Sequence, residues 1–124
     1  MNTAALLTNK ARTHSMRLHP DPFEKIRSGA KTIELRLYDE KRQQINVGDI
    51  IVFTDTASGE TLSRRVVKLH CFDSFAQLYQ TLPLLQCGYT THDIDRAHPS
   101  DMEQYYSPEA QKRYGVVGIE LAPL

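Results

Sequence analysis

The chain has 124 residues, of which 40% are hydrophobic and 24% are charged. This length and composition predict one globular domain that can bury a core without disulfides or a metal, and they exclude a disordered chain. The fifteen basic and fifteen acidic residues cancel. A global basic field is therefore excluded, and any binding of nucleic acid requires a local patch.

Cysteine and histidine usage predicts neither a metal site nor a cofactor. Cys71 and Cys87 form no C-x-x-C pair and no metal-ligand spacing, and the five histidines show no such spacing either. No apolar run approaches the roughly 20 residues that span a bilayer. In residues 1–14 the apolar patch precedes the basic residues, which is the wrong order for a signal peptide. We therefore expect reduced thiols, a cytoplasmic protein and no membrane partner.

Residues 1–14 carry no clear pattern, and we expect them to form a lead-in, either a frayed helix or a flexible segment. The folded domain is then predicted to span residues 15–124. Its first element is a short strand over residues 16–19.

A helix signal follows that strand. Asp21 is a good N-cap, Pro22 fits the first helical position, and Glu24 lies three residues after Asp21, as in a capping box. Gly29 is the expected stop, because glycine tolerates positive φ. The pattern predicts a helix of about two turns.

After Gly29 the period changes from helical to alternating. Ile33, Leu35 and Leu37 alternate with polar residues, which predicts a half-buried strand with one apolar and one polar face. A polar loop over residues 39–46 and a strand over 50–53 come next. A turn over 54–60 and a longer strand over 61–71 follow.

The C-terminal half combines helix signals with a closing strand. Asp73 is the predicted cap of a helix that ends before Pro83, and residues 84–99 look irregular. A second capping box is predicted at Ser100 and Glu103. Ser107 and Gly115 bound a further helix, and residues 116–121 form a strand. Short strands with few helices between them predict an α+β fold, a small mixed or mostly antiparallel barrel with helices at its rim.

The segment from Gly29 to Arg36 concentrates charge at a helix-to-strand junction. Glu34 and Arg36 are two apart on a strand, so both point to one face, and the flexible stem of Lys31 can reach the same place. Lys31 and Arg36 suit phosphate or a polarised carbonyl. Glu34 could hold them in place, accept a base amino group or accept a proton. Spacing alone also fits the solvated face of an amphipathic strand.

Four further side chains are candidates for this site. His19 ends the first predicted strand, Arg42 lies in the following loop, Arg64 lies in the long strand and Tyr105 precedes a helix start. Arginines could extend a phosphate-binding patch, and a tyrosine could stack on a base. The simpler alternatives are solvated surface for the arginines and helix packing for Tyr105 with its neighbour Tyr106.

The motif G-x-K-x-x-E-x-R at Gly29, Lys31, Glu34 and Arg36 resembles the signature of the ASCH superfamily. The Gly-Asp turn within residues 46–50 and the closing strand over 114–119 resemble that family too, and the similarity extends over residues 15–122. The resemblance implies a PUA-like β-barrel with a cleft beside the motif. It also implies an RNA- or nucleotide-binding module, with RNA or a nucleotide as partner.

One branch of the superfamily offers an alternative function. It hydrolyses the amide of acetylcytidine, with a threonine as proposed nucleophile where this chain has Glu34 and with the motif lysine as base. In an enzyme of that class Lys31 and Glu34 would be catalytic, and Thr32 would lie close by. A carboxylate suits binding, or activation of water, better than direct attack on an amide, so binding is the preferred prediction. The oligomeric state is not predicted.

Overall fold

The computed structural model describes residues 11–124, and its elements alternate as an α+β protein. The strands and α-helices are β1 Thr13–Leu18, α1 Pro20–Ser28, β2 Ile33–Leu37, β3 Ile50–Asp55, β4 Thr61–Phe72, α2 Phe75–Thr81, α3 Pro108–Tyr114 and β5 Val116–Ala122. Short 3-10 turns lie at Arg42–Gln44, Leu84–Cys87, Ile94–Arg96 and Pro99–Gln104. β1 begins two residues ahead of the expected boundary at residue 15. Residues 1–10 of the lead-in predicted over 1–14 lie outside the described part.

The five strands described form one sheet in the order β1-β3-β4-β5-β2. β1 runs parallel to β3, and all other neighbours are antiparallel. β1 and β2 are the two edges of this sheet, yet Arg36 Nη2 on β2 donates to the Arg17 carbonyl on β1 at 2.9 Å. The sheet therefore curls until its edges approach each other. The predicted mixed, mostly antiparallel barrel is confirmed as a half-barrel.

Both faces of the sheet are covered by apolar residues, because short helices pack on each. α1 contributes Phe23 and Ile26 to the core inside the curl, where they join Phe53 and Ile119. On the outer face α2 buries Phe75 and Leu78 against a second cluster, which includes Ile33, Leu35 and Val116 from β2 and β5. β2 is consequently buried on both faces. The predicted polar face is present in Glu34 and Arg36, but the strand is not half-buried, and the alternative of a solvated face is wrong.

Helix starts differ from the predicted ones by small shifts. α1 begins at Pro20 with His19 as N-cap, because the fixed φ of proline suits the first helical position. Asp21 does not cap the helix; its carboxylate pairs with Lys25 at 3.0 Å. α2 is capped by Ser74, whose Oγ accepts the Gln77 N–H, one residue after the predicted cap.

Among the predicted elements after residue 99, one capping box is wrong and the last helix and strand are confirmed. The capping box predicted at Ser100 and Glu103 is wrong, since the observed box pairs His98 with Asp101. The helix predicted from Ser107 is confirmed: the Ser107 hydroxyl accepts the Ala110 N–H, and α3 ends at Gly115. The closing strand β5 is internal to the sheet, as expected for its apolar sequence.

Candidate functional site

The functional corner begins where α1 stops. Gly29 has φ 87°, a left-handed conformation that ends the helix. The Lys31 N–H then bonds to the Lys25 carbonyl at 2.9 Å, which turns the chain back across the end of α1. β2 starts two residues later at Ile33. Lys31 is thereby fixed at the strand entrance.

Sheet register decides where the two motif residues on β2 point. Glu34 lies opposite Ile119 and Arg36 opposite Val117. Directly opposed residues share one face, and Ile119 and Val117 are completely buried in the core inside the curl. Glu34 and Arg36 therefore point into the half-barrel at its open seam, and Glu34 is only 4% exposed.

Lys31, Glu34 and Arg36 form what we call the charged triad. Lys31 Nζ lies 2.7 Å from Glu34 Oε1, and Arg36 Nε lies 2.8 Å from Glu34 Oε2. All three side chains are largely buried. Each carboxylate oxygen of Glu34 thus forms an ion pair with one cation.

Glu34 and Arg36 stabilise each other in their charged forms. Burial alone would raise the pKa of Glu34, but the neighbouring Lys31 and Arg36 outweigh it, so this pKa lies below its ordinary value. Burial alone would lower the pKa of Arg36, and the attraction of Glu34 together with Tyr106 raises it instead. Two cations and one anion leave the triad with a net positive charge.

The triad lies against a cleft of about 460 Å³. Cys87, Gly88 and Tyr89 line one side of it. A Cβ added to Gly88 would lie 3.4 Å from Lys31 Cδ, and the φ of Gly88 is +112°, which L side chains rarely adopt. The backbone conformation therefore favours glycine here, and the Lys31 side chain lies beside it.

A hydrogen-bonded row of side chains lines the cleft near Gly88. The Tyr79 hydroxyl lies 2.7 Å from the Tyr89 hydroxyl, which donates to Asp101 Oδ2 at 2.6 Å. Tyr106 also lines the cleft and stacks on Phe75, with ring centroids 6.0 Å apart. The helix-packing alternative predicted for Tyr106 is confirmed by that contact.

The rim of the cleft adds further charge. Lys25 Nζ donates to the Gly88 carbonyl at 2.9 Å and pairs with Asp21, so this cation is already engaged. Arg17 lines the cleft with an exposed side chain and, among residues 11–124, has no ion-pair partner. Its guanidinium is available to a ligand that enters from solvent.

Five of the residues predicted for the site line this cleft, and four do not. Those that line it are His19, Lys31, Glu34, Arg36 and Tyr105. Those outside it are engaged elsewhere. Gly29 serves as the C-cap of α1, and the Thr32 hydroxyl donates to Gln86 Oε1 at 3.4 Å. Arg42 pairs with Asp39 at 3.0 Å, and Arg64 donates to the Ser63 carbonyl at 2.9 Å.

Several lining residues were missed by sequence reasoning. They are Arg17, Lys25, Tyr79, Cys87, Gly88, Tyr89 and Asp101. Three of them, Cys87, Gly88 and Tyr89, come from residues 84–99, the segment that looked irregular, which carries no periodic pattern to orient its side chains. The pair Gly88-Tyr89 could have indicated a turn that presents an aromatic ring, because the glycine adopts a positive φ directly before the tyrosine.

The thiol and the possible metal ligands add no chemistry to the cleft. Burial, which outweighs the nearby Lys31, raises the pKa of Cys87 to about 11, so its thiol is protonated at neutral pH. Within residues 11–124, no group of three or more His, Cys, Asp or Glu side chains could hold a metal ion.

The described helices are too short or too polar to cross a membrane. A second hollow of about 440 Å³, between Tyr38 and Tyr114, contains no residue of the triad.

Comparisons with known proteins agree with this geometry. The ASCH domain family model matches residues 16–124. The crystal structure of the hypothetical protein PH0355 is 34% identical with a TM-score of 0.75, and the match covers 90% of this chain and 99% of that chain. The solution structure of PF0455 from Pyrococcus furiosus is also 34% identical, with a TM-score of 0.70 and coverage of 90% and 97%.

A more distant structure matches in fold alone. The ASCH protein from Zymomonas mobilis is 12% identical, with a TM-score of 0.63 and coverage of 90% of this chain and 67% of that chain. No curated protein matches the sequence. The curled half-barrel is of the PUA-like kind, and the family consists in general of RNA-binding-like modules. The chain belongs to the ASCH domain family.

Proposed function

We propose that this domain binds one nucleotide unit in the cleft, either free or at an unpaired position of RNA. Lys31 and Arg36 take phosphate or carbonyl oxygens of the ligand. The observation that carries the proposal is the arrangement of the triad: Glu34 uses both oxygens to hold two cations at the cleft. Ammonium and guanidinium groups have more N–H donors than these bonds consume, and the remaining donors suit oxygens of a ligand.

The size and lining of the cleft support a single nucleotide rather than a duplex. Its volume of about 460 Å³ is within the range of small-ligand pockets, about 300–1,000 Å³. Tyr105 is 59% exposed and lines the cleft, so its ring is free to stack on an unpaired base. Sequence-selective RNA recognition mostly targets unpaired bases of this kind.

Binding is favoured over hydrolysis of a modified nucleoside such as acetylcytidine. A general base works best with a pKa near the working pH, whereas Lys31 and Arg36 hold the pKa of Glu34 below its ordinary value against the effect of burial. Among residues 11–124, the lining of the cleft contains no serine or threonine that could act as nucleophile. The Thr32 hydroxyl lies outside it.

Fluorescence anisotropy with a labelled, unstructured RNA oligonucleotide tests the proposal, with CMP measured by calorimetry. Affinity for RNA should fall with salt, by a slope of about −0.7 for each phosphate contact. Lys31→Ala should weaken binding and flatten that slope. Lys68→Ala, an exposed lysine of β4 outside the cleft, is the matched control and should bind like wild type.

Two results would contradict the proposal. One is the absence of binding of RNA and CMP to the wild-type protein. The other is a Lys31→Ala protein that binds as tightly as the control. Incubation with acetylcytidine, followed by chromatography, should show no deacetylation; turnover that Lys31→Ala abolishes would establish the hydrolase instead.

A further inference from the structure

One wall of the cleft carries a hydrogen-bond chain that the proposed contacts do not use. It runs from the Tyr79 hydroxyl through the Tyr89 hydroxyl to Asp101 Oδ2, over distances of 2.7 Å and 2.6 Å. All three residues line the cleft. This chain meets the charged triad at Gly88, which lies against the Lys31 side chain and directly precedes Tyr89.

The donor-to-acceptor direction of this hydrogen-bond chain follows from counting hydroxyl hydrogens. Each phenol has one hydrogen to donate. Tyr89 gives its hydrogen to Asp101, so the bond between the two tyrosines requires Tyr79 to be the donor. Tyr79 is left with lone pairs and without a free hydrogen. Toward a ligand in the cleft it can therefore only accept.

The chain is fixed in this direction by its surroundings. Asp101 Oδ2 also accepts the His98 N–H at 3.2 Å, as part of the capping box that starts the Pro99–Gln104 turn. The rings of Tyr79 and Tyr89 meet edge to face, with centroids 5.8 Å apart. Burial, reinforced by the bond to Asp101, raises the pKa of Tyr89, so its hydroxyl keeps the hydrogen at neutral pH.

We propose that Tyr79 reads an amino group on the bound base, so that the cleft selects amino-bearing nucleotides over their oxo counterparts. This proposal rests on the proposed function, because it requires a nucleotide whose oxygens face Lys31 and Arg36. An amino N–H pairs with the Tyr79 oxygen. A keto oxygen in the same position brings two acceptors together, and neither is satisfied.

Glu34 was the carboxylate predicted to accept the amino group. Each of its oxygens already accepts from a cation, and the residue is only 4% exposed, so it is less accessible to a base than the tyrosine wall. We therefore assign the acceptor role to Tyr79. The cleft then has donors on one side, from the triad, and an acceptor at Tyr79.

Calorimetry with two matched pairs of nucleotides, CMP with UMP and AMP with IMP, tests this selection. Within each pair the phosphate and sugar are the same. The oxo member has an oxygen in place of the amino group and a hydrogen on the adjacent ring nitrogen. Wild type should bind CMP and AMP more tightly than their partners by about two- to tenfold, the range expected of one hydrogen bond. Tyr79→Phe should make both ratios close to one, because CMP and AMP lose an acceptor while UMP and IMP lose the opposed acceptor. Lys31→Ala should weaken all four and keep the ratios.

A second variant tests the direction of the chain separately. Tyr89→Phe removes the acceptor for Tyr79, so the Tyr79 hydrogen becomes free to bond a keto oxygen. UMP should then gain affinity relative to CMP. This readout stands on its own if Tyr79→Phe lowers the melting temperature too far for use.

The outcomes separate the two proposals. Equal binding of CMP and UMP by wild type, or a preference that survives in both tyrosine variants, overturns the reading by Tyr79 and leaves the nucleotide cleft standing. Failure of both RNA and all four nucleotides to bind wild type overturns the proposed function, and the selection falls with it.

Discussion

Replacing Glu34 by glutamine perturbs the centre of the triad with almost no change in shape. The carboxylate is nearly inaccessible and neutralises two buried cations at 2.7 and 2.8 Å. Removing one member of a buried ion pair costs about 3–5 kcal/mol, because the remaining charge is left without compensation. Arg36 keeps its bond to the Arg17 carbonyl, and Lys31 reaches the cleft, so we expect the lower end, about 3 kcal/mol.

Thermal and urea unfolding measure this loss. For a chain of this length about 3 kcal/mol corresponds to a fall in Tm of roughly 10 °C or more. Glu24→Gln is the matched control, because Glu24 is an exposed acid on α1 whose ion-pair partner within residues 11–124 is the exposed Arg27. It should leave the Tm nearly unchanged. A Glu34→Gln protein that melts within a degree or two of the control would refute the coupling of these charges through Glu34.

Three further predictions concern acid stability, the glycine beside Lys31 and a helix cap. Because the folded-state pKa of Glu34 lies below its ordinary value of 4.5, its contribution to stability is complete above that pH and is lost as the pH falls through the folded value. Urea unfolding of Glu34→Gln should therefore show a shallower loss of stability below about pH 4.5 than wild type, and equal slopes would contradict this. Gly88→Ala should cost about 1–2 kcal/mol in urea unfolding, because the φ of this residue is positive and the new Cβ meets Lys31 Cδ only at an ordinary contact distance of 3.4 Å; an unchanged midpoint would contradict the strained backbone. Ser107→Ala should cost about 1 kcal/mol in urea unfolding, since the cap of α3 is lost, and an unchanged midpoint would contradict the cap.

Local patterns predicted the elements of the fold better than their ends. The alternation of Ile33, Leu35 and Leu37 identified β2, and the pair Ser107 and Gly115 bounded α3 closely. The caps of α1 and α2 were missed by a residue or two, because several neighbouring residues can cap and only the tertiary path selects one. Curling of the sheet was not readable from spacing, since it depends on contact between strands that are far apart in sequence.

The same limit explains what was right and wrong about the site. Spacing placed Glu34 and Arg36 on one face of a strand, and their meeting with Lys31 agrees with the structure. It could not show that this face points into the half-barrel, because that depends on the register with Val117 and Ile119. Arg64 lies outside the cleft for a related reason. Its guanidinium donates to the Ser63 carbonyl on β4 and to the Ile26 carbonyl on α1.

The tyrosine wall was beyond sequence reasoning for another reason. Tyr79, Tyr89 and Asp101 come from α2, an irregular segment and a 3-10 turn, and no period relates their positions. Their contact exists only because the Pro99–Gln104 turn brings Asp101 against Tyr89. Long-range packing of aperiodic segments is the information that a single sequence does not display.

Titration of ¹⁵N-labelled protein with CMP, followed by amide NMR, is the most direct test of the cleft as a nucleotide site. The largest shifts should fall on the amides of Lys31, Gly88 and Tyr89, where triad and tyrosine wall meet. Shifts centred on Tyr38 and Tyr114 in the second hollow, or none at saturating CMP, would contradict the account.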